Sequence, residues 1–175
     1  MDGNLEVRID GIVVTAAQVE DWEIRRTRSV LRKLRRMLKL EAGAGAEPGD
    51  LASLRLEMLR LKEQCGRNRL REILHGQLRI SDFSTKLVLL FSGRRRKQCV
   101  TEIRVAGCTA AQLAEAVDAL MRIDTLTNRQ SNLLACPDHY LLEPRGDVLE
   151  VIETTGGSPM PARFFMRSED ESGLV

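Results

Sequence analysis

Residues 136–167, CPDHYLLEPRGDVLEVIETTGGSPMPARFFMR, constrain the fold of this chain more than any other stretch. Apolar runs of strand length alternate with turn chemistry. Arg145-Gly-Asp147 is a tight turn, and Gly156-Gly157-Ser158-Pro159 a looser one. Three consecutive strands are predicted, 138–144, 147–155 and 161–167, carrying Tyr140, Phe164 and Phe165. Consecutive strands joined by short turns make an antiparallel sheet.

The rest of the chain divides by periodicity. Residues 4–14 (NLEVRIDGIVV) favour strand, with Gly11 at a turn or bulge. Thr15-Ala-Ala-Gln18 has the capping-box form, so a helix begins there and runs to about Leu40. Val19, Trp22, Val30, Leu34 and Met37 mark its expected buried stripe. Residues 41–50 (EAGAGAEPGD) are a linker by composition, and Asp50 can cap the next helix. There Leu51, Leu54, Met58, Leu61 and Cys65 form a 3-4-3-4 seam. Gly66 interrupts it, and Leu70, Ile73, Leu74 and Leu78 resume it on a rotated face. A short linker between amphipathic helices predicts an antiparallel helical hairpin, 16–40 against 51–78.

Further along, the apolar run 86–92 (KLVLLFS) and the alternating 98–106 (QCVTEIRVA) are expected as strands, with Val100, Ile103 and Val105 inward. A second capping box, Thr109-Ala-Ala-Gln112, starts a helix with Leu113, Val117 and Leu120. A further helix spans about 125–135 and uses Leu126, Leu133 and Leu134, and Pro137 ends it. The segment Glu6-Val-Arg-Ile-Asp-Gly11 before Thr15-Ala-Ala-Gln18 echoes Glu102-Ile-Arg-Val-Ala-Gly107 before Thr109-Ala-Ala-Gln112. The tail, 168–175, is short and acidic. The expected class is α+β in one unit of 175 residues: a basic hairpin (16–78), an acidic sheet-forming part (79–167) and the tail.

Charge sharpens that division. Residues 1–97 carry 21 basic and 13 acidic groups, and residues 98–175 carry 6 and 12. From Ile24 to Leu40 there are eight basic residues and no acid. Arg25, Arg28, Arg32, Arg35 and Arg36 are the candidate partner-binding residues, and Arg94–Lys97 extends the patch. Like charges four residues apart on a helix repel, so compensation is expected. It would come from acids within the protein or its oligomer, from an acidic protein, or from nucleic acid or an anionic membrane. Against nucleic acid, only Trp22 offers a stacking aromatic near the basic run.

Candidate chemistry is sparse. Cys136-Pro-Asp-His139 has the spacing of half a zinc site, but zinc needs further ligands. Cys99, Cys108, Glu150 and Glu153 are the remaining choices; no metal and no cofactor is expected. Glu143, Glu150 and Glu153 are read as solvated strand-face carboxylates. Thr154-Thr-Gly-Gly-Ser158 precedes prolines and a strand, which excludes a P-loop. The four cysteines are unpaired by spacing, and no signal-peptide pattern or bilayer-length apolar run is present. A cytoplasmic location is therefore expected.

The order strand 98–106, helix 109–122, helix 125–135, strand, strand, strand resembles the first half of a START-like (helix-grip) domain. The segments ACPDHYLLEP and EVIETTGGSPMPARFF are similar to stretches of the phloretin and diacetylphloroglucinol hydrolase group. The resemblance covers residues 98–167. It implies a curved antiparallel sheet around an apolar cavity, with Tyr140, Leu142, Ile152 and Phe164 as the ligand-binding residues. Those hydrolases are zinc enzymes with His and Glu ligands, whereas this chain has only His75 and His139, far apart.

The expectation is thus a non-catalytic binder of a small apolar ligand or a protein partner. Its alternative is an interaction module whose basic hairpin binds nucleic acid or an acidic protein. A metal-dependent hydrolase ranks below both. The heptad stretch 51–65, the charge asymmetry and an incomplete sheet predict a homodimer.

Overall fold

A computed structural model describes residues 5–40, 49–93, 98–155 and 158–167. The linker 41–50 lies largely outside them. So do Arg94–Lys97, Gly156-Gly157 and the tail 168–175.

The fold is α+β, with antiparallel sheets packed against helices. Strands β1 (Leu5–Ile9) and β2 (Ile12–Val14) lead into helix α1 (Ala16–Met37). Helix α2 (Leu51–Phe91), strand β3 (Thr101–Val105) and helices α3 (Ala110–Arg122) and α4 (Leu126–Ala135) follow. Strands β4 (His139–Arg145), β5 (Val148–Glu153) and β6 (Ala162–Arg167) close the chain. Two three-stranded sheets form, ordered β2-β1-β3 and β4-β5-β6.

Local sequence explains most element starts. Thr15 and Thr109 each complete a capping box with the glutamine three residues on. Asp50 caps α2 through the Ser53 amide. Gly11 and Gly146 hold positive φ in the two hairpin turns. The echo is also visible in three dimensions. β1 and β3 pair antiparallel with Glu6 opposite Arg104, Val7 opposite Ile103 and Arg8 opposite Glu102. The two copies of the motif are therefore related by a local two-fold through the Val7–Ile103 pair.

The main core lies between the hairpin helices and the second sheet. Val30, Leu31 and Leu34 of α1 meet Leu54, Met58, Leu61, Leu70, Leu74 and Leu78 of α2. Tyr140, Leu141 and Ile152 of the sheet close this cluster. The leucine seam of α2 is thus consumed within the chain, which removes 51–65 as a dimer surface. Gly66 is a true break in α2, with φ 71 and ψ 161, a region that only glycine occupies readily. A smaller cluster of Leu142, Leu149 and Val151, with Met121 and Phe164, covers the opposite face of the sheet.

Several expectations need correction. Residues 86–92 are not a strand: α2 continues to Phe91. A short apolar run has no periodicity to separate strand from helix, and no breaker stands between Leu78 and Lys86. Part of the expected sheet-forming segment is therefore helix. On α1, Val19 and Trp22 are exposed, while Glu23, Thr27 and Leu31 are buried instead. Val100, Ile103 and Val105 face solvent, because nothing in the described chain covers the first sheet.

Candidate ligand-binding cleft

The charge asymmetry of the sequence is largely resolved by long-range ion pairs. Arg26 grips Asp138 with two bonds of 2.7 and 2.5 Å, joining α1 to the start of β4. Glu23 receives two bonds from Arg55 at 2.5 and 2.6 Å, and Arg35 lies 3.6 Å from Glu57. Arg67 reaches both Asp124 and Glu143. Glu143 and Glu150 stand directly opposite one another on β4 and β5. They are not solvated strand faces: Glu150 is fully buried. Arg71, Arg145 and Arg163 each approach Glu150 at 2.8 Å, and Arg71 and Arg145 also bind Glu143. Two adjacent carboxylates are tolerable here because guanidinium groups from a helix and two strands surround them.

A second polar centre lies where β4 begins. Lys62 is only 1% exposed, and its Nζ donates to the carbonyls of Pro137 (2.9 Å) and His139 (2.6 Å). Burial pulls its pKa down to about 7, against the opposing pull of Cys136 and Asp138. Even a neutral amine keeps two N–H groups for two carbonyls. Lys62 thus clamps the turn between α4 and β4. His139 Nδ1 lies 2.8 Å from the Asn132 carbonyl oxygen, and Nε2 lies 3.0 Å from Glu153. Both ring nitrogens of His139 are thereby engaged. Among the described residues, no group of three or more His, Cys, Asp or Glu side chains converges to hold a metal ion.

The predicted ligand-binding residues divide between two faces. Leu142, Val151 and Phe164 are register partners on the face toward Met121. Tyr140 points into the core with α1 and α2 because a β-bulge between His139 and Leu141 shifts the register, and Ile152, next to Val151 on β5, points there by ordinary alternation. Among the described residues, none of the five main cavities is lined by all four.

The predicted partner-binding residues also separate. Arg35 is taken by Glu57, and Arg28 is half-buried with its carbonyl accepting from Arg32 Nε at 3.3 Å. Arg25, Arg32 and Arg36 are exposed. Arg32 and Lys33 lie three and four residues after Ser29, and Arg36 four and three residues after them, so successive turns of α1 present the four on one side. They form one wall of a cleft of about 370 Å³, completed by Met37, Gln77, Pro159 and Met160. A smaller recess of about 130 Å³ adjoins it and shares Ser29, Lys33 and Pro159. Tyr140, Asp138, Thr154 and Ser158 line that recess.

Lys33 is the hinge of this site. Its amine sits 5.2 Å from the centre of the Tyr140 ring, within cation–π range. Burial lowers its pKa, partly offset by Asp138 and reinforced by Arg26. Among the described residues, neither Lys33 nor Arg36 has a carboxylate at ion-pair distance. Burial pushes the Tyr140 phenol up to about 12, with Thr154 pulling the other way, so it is a hydrogen-bonding group and not an anion. Asp138 is occupied by Arg26. The cleft therefore offers cations, hydroxyls and one aromatic face, and its lining contains no histidine or cysteine. In the sequence Lys33 is one of the eight basic residues of 24–40 and belongs to no predicted site. Its signal was the 26, 29, 33, 36 spacing, which puts these residues on one helix face.

Comparison with protein-family models, with curated proteins and with solved structures returned no match.

Proposed function

We propose that this protein binds a small organic anion, such as a phosphomonoester or a carboxylate, in the cleft between α1 and residues 158–160. One observation carries the reading: Lys33 and Arg36 face a shared cleft with no carboxylate at ion-pair distance among the described residues, whereas Arg26, Arg35 and Arg55 each have one. A partly desolvated cation next to an open space is stabilised by an anion entering that space. Ser29 and Ser158 add hydroxyl groups, and Tyr140 supports Lys33 from below. The role proposed is binding: cations and hydroxyls on one lining suit the holding of an anion. A cytoplasmic setting suits the four free thiols, Cys65, Cys99, Cys108 and Cys136.

Thermal unfolding with inorganic phosphate, an aryl phosphate and an aryl carboxylate tests the reading. A ligand bound to the native state raises the melting temperature. The expected result is a rise with at least one of the organic anions. It should shrink between 50 and 200 mM salt and vanish in the double variant Lys33→Met, Arg36→Met. Equal shifts in wild type and double variant would overturn it, as would no shift with any of the three.

A further inference from the structure

Apart from the cleft, and without resting on it, a buried amine adjoins a second cavity. Where helix α2 breaks at Gly66, a cavity of about 140 Å³ opens between α2, α4 and β4. Leu70, Leu133, Leu141 and Leu142, all buried, form its apolar wall. Lys62, 1% exposed, lines it as well. The carbonyls of Pro137 and His139 take two of the hydrogens on its Nζ. The remaining position on that nitrogen, a third hydrogen or a lone pair, has no hydrogen-bond partner among the described residues. Two more cations share the lining. Arg67 spends both terminal nitrogens on Asp124 and Glu143, but its buried Nε–H has no partner. Arg129 is half-buried and has no carboxylate at ion-pair distance among the described residues. The acid of the lining, Glu63, is exposed and accepts from Gln130 at 2.8 Å.

We propose that Lys62 is a reversible carbamylation site, with carbon dioxide as its ligand and Arg67 and Arg129 as counter-charges of the carbamate. The amine lone pair attacks the carbon of CO2. The N–C bond forms, one C=O π pair moves onto oxygen, and one proton leaves the nitrogen for solvent. No oxidant, leaving group or second substrate is needed. The step requires a neutral amine, and burial holds the Lys62 pKa at about 7. Near pH 7 Lys62 thus presents about a thousandfold more free amine than an ordinary lysine. Access selects the electrophile. An amine 1% exposed beside a leucine wall admits a small uncharged molecule ahead of a charged one, which must lose its hydration. The charge of the product selects the same place. A carbamate accepts hydrogen bonds as a carboxylate does, and the unpartnered Arg67 Nε–H and the Arg129 guanidinium on the same lining supply donors. The nitrogen keeps one hydrogen after the step, so one of its two bonds to the α4–β4 turn is given up. Carbon dioxide is thereby coupled to how tightly that turn is held.

The test uses the full chain in a closed vessel near neutral pH, with carbon-13-labelled bicarbonate as the source of CO2. The carbon-13 spectrum should show a protein-bound carbamate resonance that disappears when CO2 is purged. Trapping with triethyloxonium converts the carbamate to a stable ethyl ester, and peptide mass spectrometry then locates it. The label on Lys62 should exceed that on the exposed Lys39 and Lys86 by at least about tenfold. Lys62→Arg should lose the resonance. Because the clamp on the turn goes with it, the wild-type peptide assignment decides on its own if that variant does not fold. Arg129→Met should fold, as circular dichroism would show, and lose most of the Lys62 label. Label on Lys62 no greater than on Lys39 and Lys86 overturns the proposal, as does a spectrum without carbamate at any CO2 pressure. Equal Lys62 label in wild type and Arg129→Met overturns the assignment of the counter-charge. A Lys62 adduct that forms only with glyoxylate and cyanoborohydride also overturns the proposal, and assigns the amine to carbonyl compounds instead.

Discussion

The Lys33 amine rests 5.2 Å from the centre of the Tyr140 ring, and a second lysine, Lys62, approaches the same ring at 5.9 Å. One aromatic side chain thus links the floor of the cleft to the buried clamp on the α4–β4 turn. Tyr140 is 1% exposed and belongs to the main core. Replacing it with alanine should cost about 3–5 kcal/mol, the usual range for a large buried aromatic. Tyr140→Phe should cost under about 1.5 kcal/mol, because the ring and both cation contacts persist. Urea denaturation curves of the two variants separate these outcomes.

Lys62 should make stability rise with pH. Its folded pKa, about 7, lies below the ordinary lysine value of 10.5. The folded state therefore favours the neutral amine, and the unfolded chain binds one more proton between these values. The contribution is complete above the unfolded pKa and is lost as pH falls toward 7. Between pH 7 and 9.5 the unfolding free energy of wild type should rise relative to Lys62→Met by up to about 1.4 kcal/mol per pH unit. Equal slopes would show that the amine is not desolvated.

Gly66 and Gly76 should respond oppositely to alanine. Both have open space where a Cβ would be added, so only the backbone matters. Gly66 holds φ 71 and ψ 161, and Gly66→Ala should cost about 1–3 kcal/mol. Gly76 is an ordinary helical residue, and Gly76→Ala should stabilise by roughly 0.5–1 kcal/mol. Melting temperatures of the two variants check both signs.

Arg71 bridges Glu143 and Glu150, the like-charged pair facing one another across β4 and β5. Arg71→Met leaves the buried Glu150 with fewer counter-charges. The expected loss is about 3–5 kcal/mol. Adding Glu150→Gln to that variant should recover part of it, as a double-mutant cycle would show. A fully additive double variant would mean that the two side chains do not interact.

The elements most legible in sequence were those with local signals. Both threonine–glutamine capping boxes, the Gly146 turn, the α2 leucine seam and its break at Gly66 are set by contacts within a few residues. The echo around Glu6 and Glu102 was legible as a pattern, but its antiparallel pairing about Val7 and Ile103 was not. The apolar run at 86–92 misled because its five consecutive hydrophobics fit strand and helix equally well. The ligand-binding set failed to converge because Ile152 alternates to the opposite face from Val151, the partner of Leu142, and one bulge at His139–Leu141 moves Tyr140 to that face as well. Alternation alone cannot locate a bulge.

The amino-acid sequence by itself determined the class, the helix starts, the last three strands and the excess of cations on α1. Each follows from propensity, periodicity or capping over short spans. Only the tertiary structure decided which cations are neutralised. Arg26 meets Asp138 and Arg71 meets Glu150 across more than seventy residues. Coulomb energy depends on distance in space and on the dielectric around the pair, and neither can be read along the chain. Lys33 and Arg36 became the candidate site because, among the described residues, folding brought no carboxylate within ion-pair distance of either.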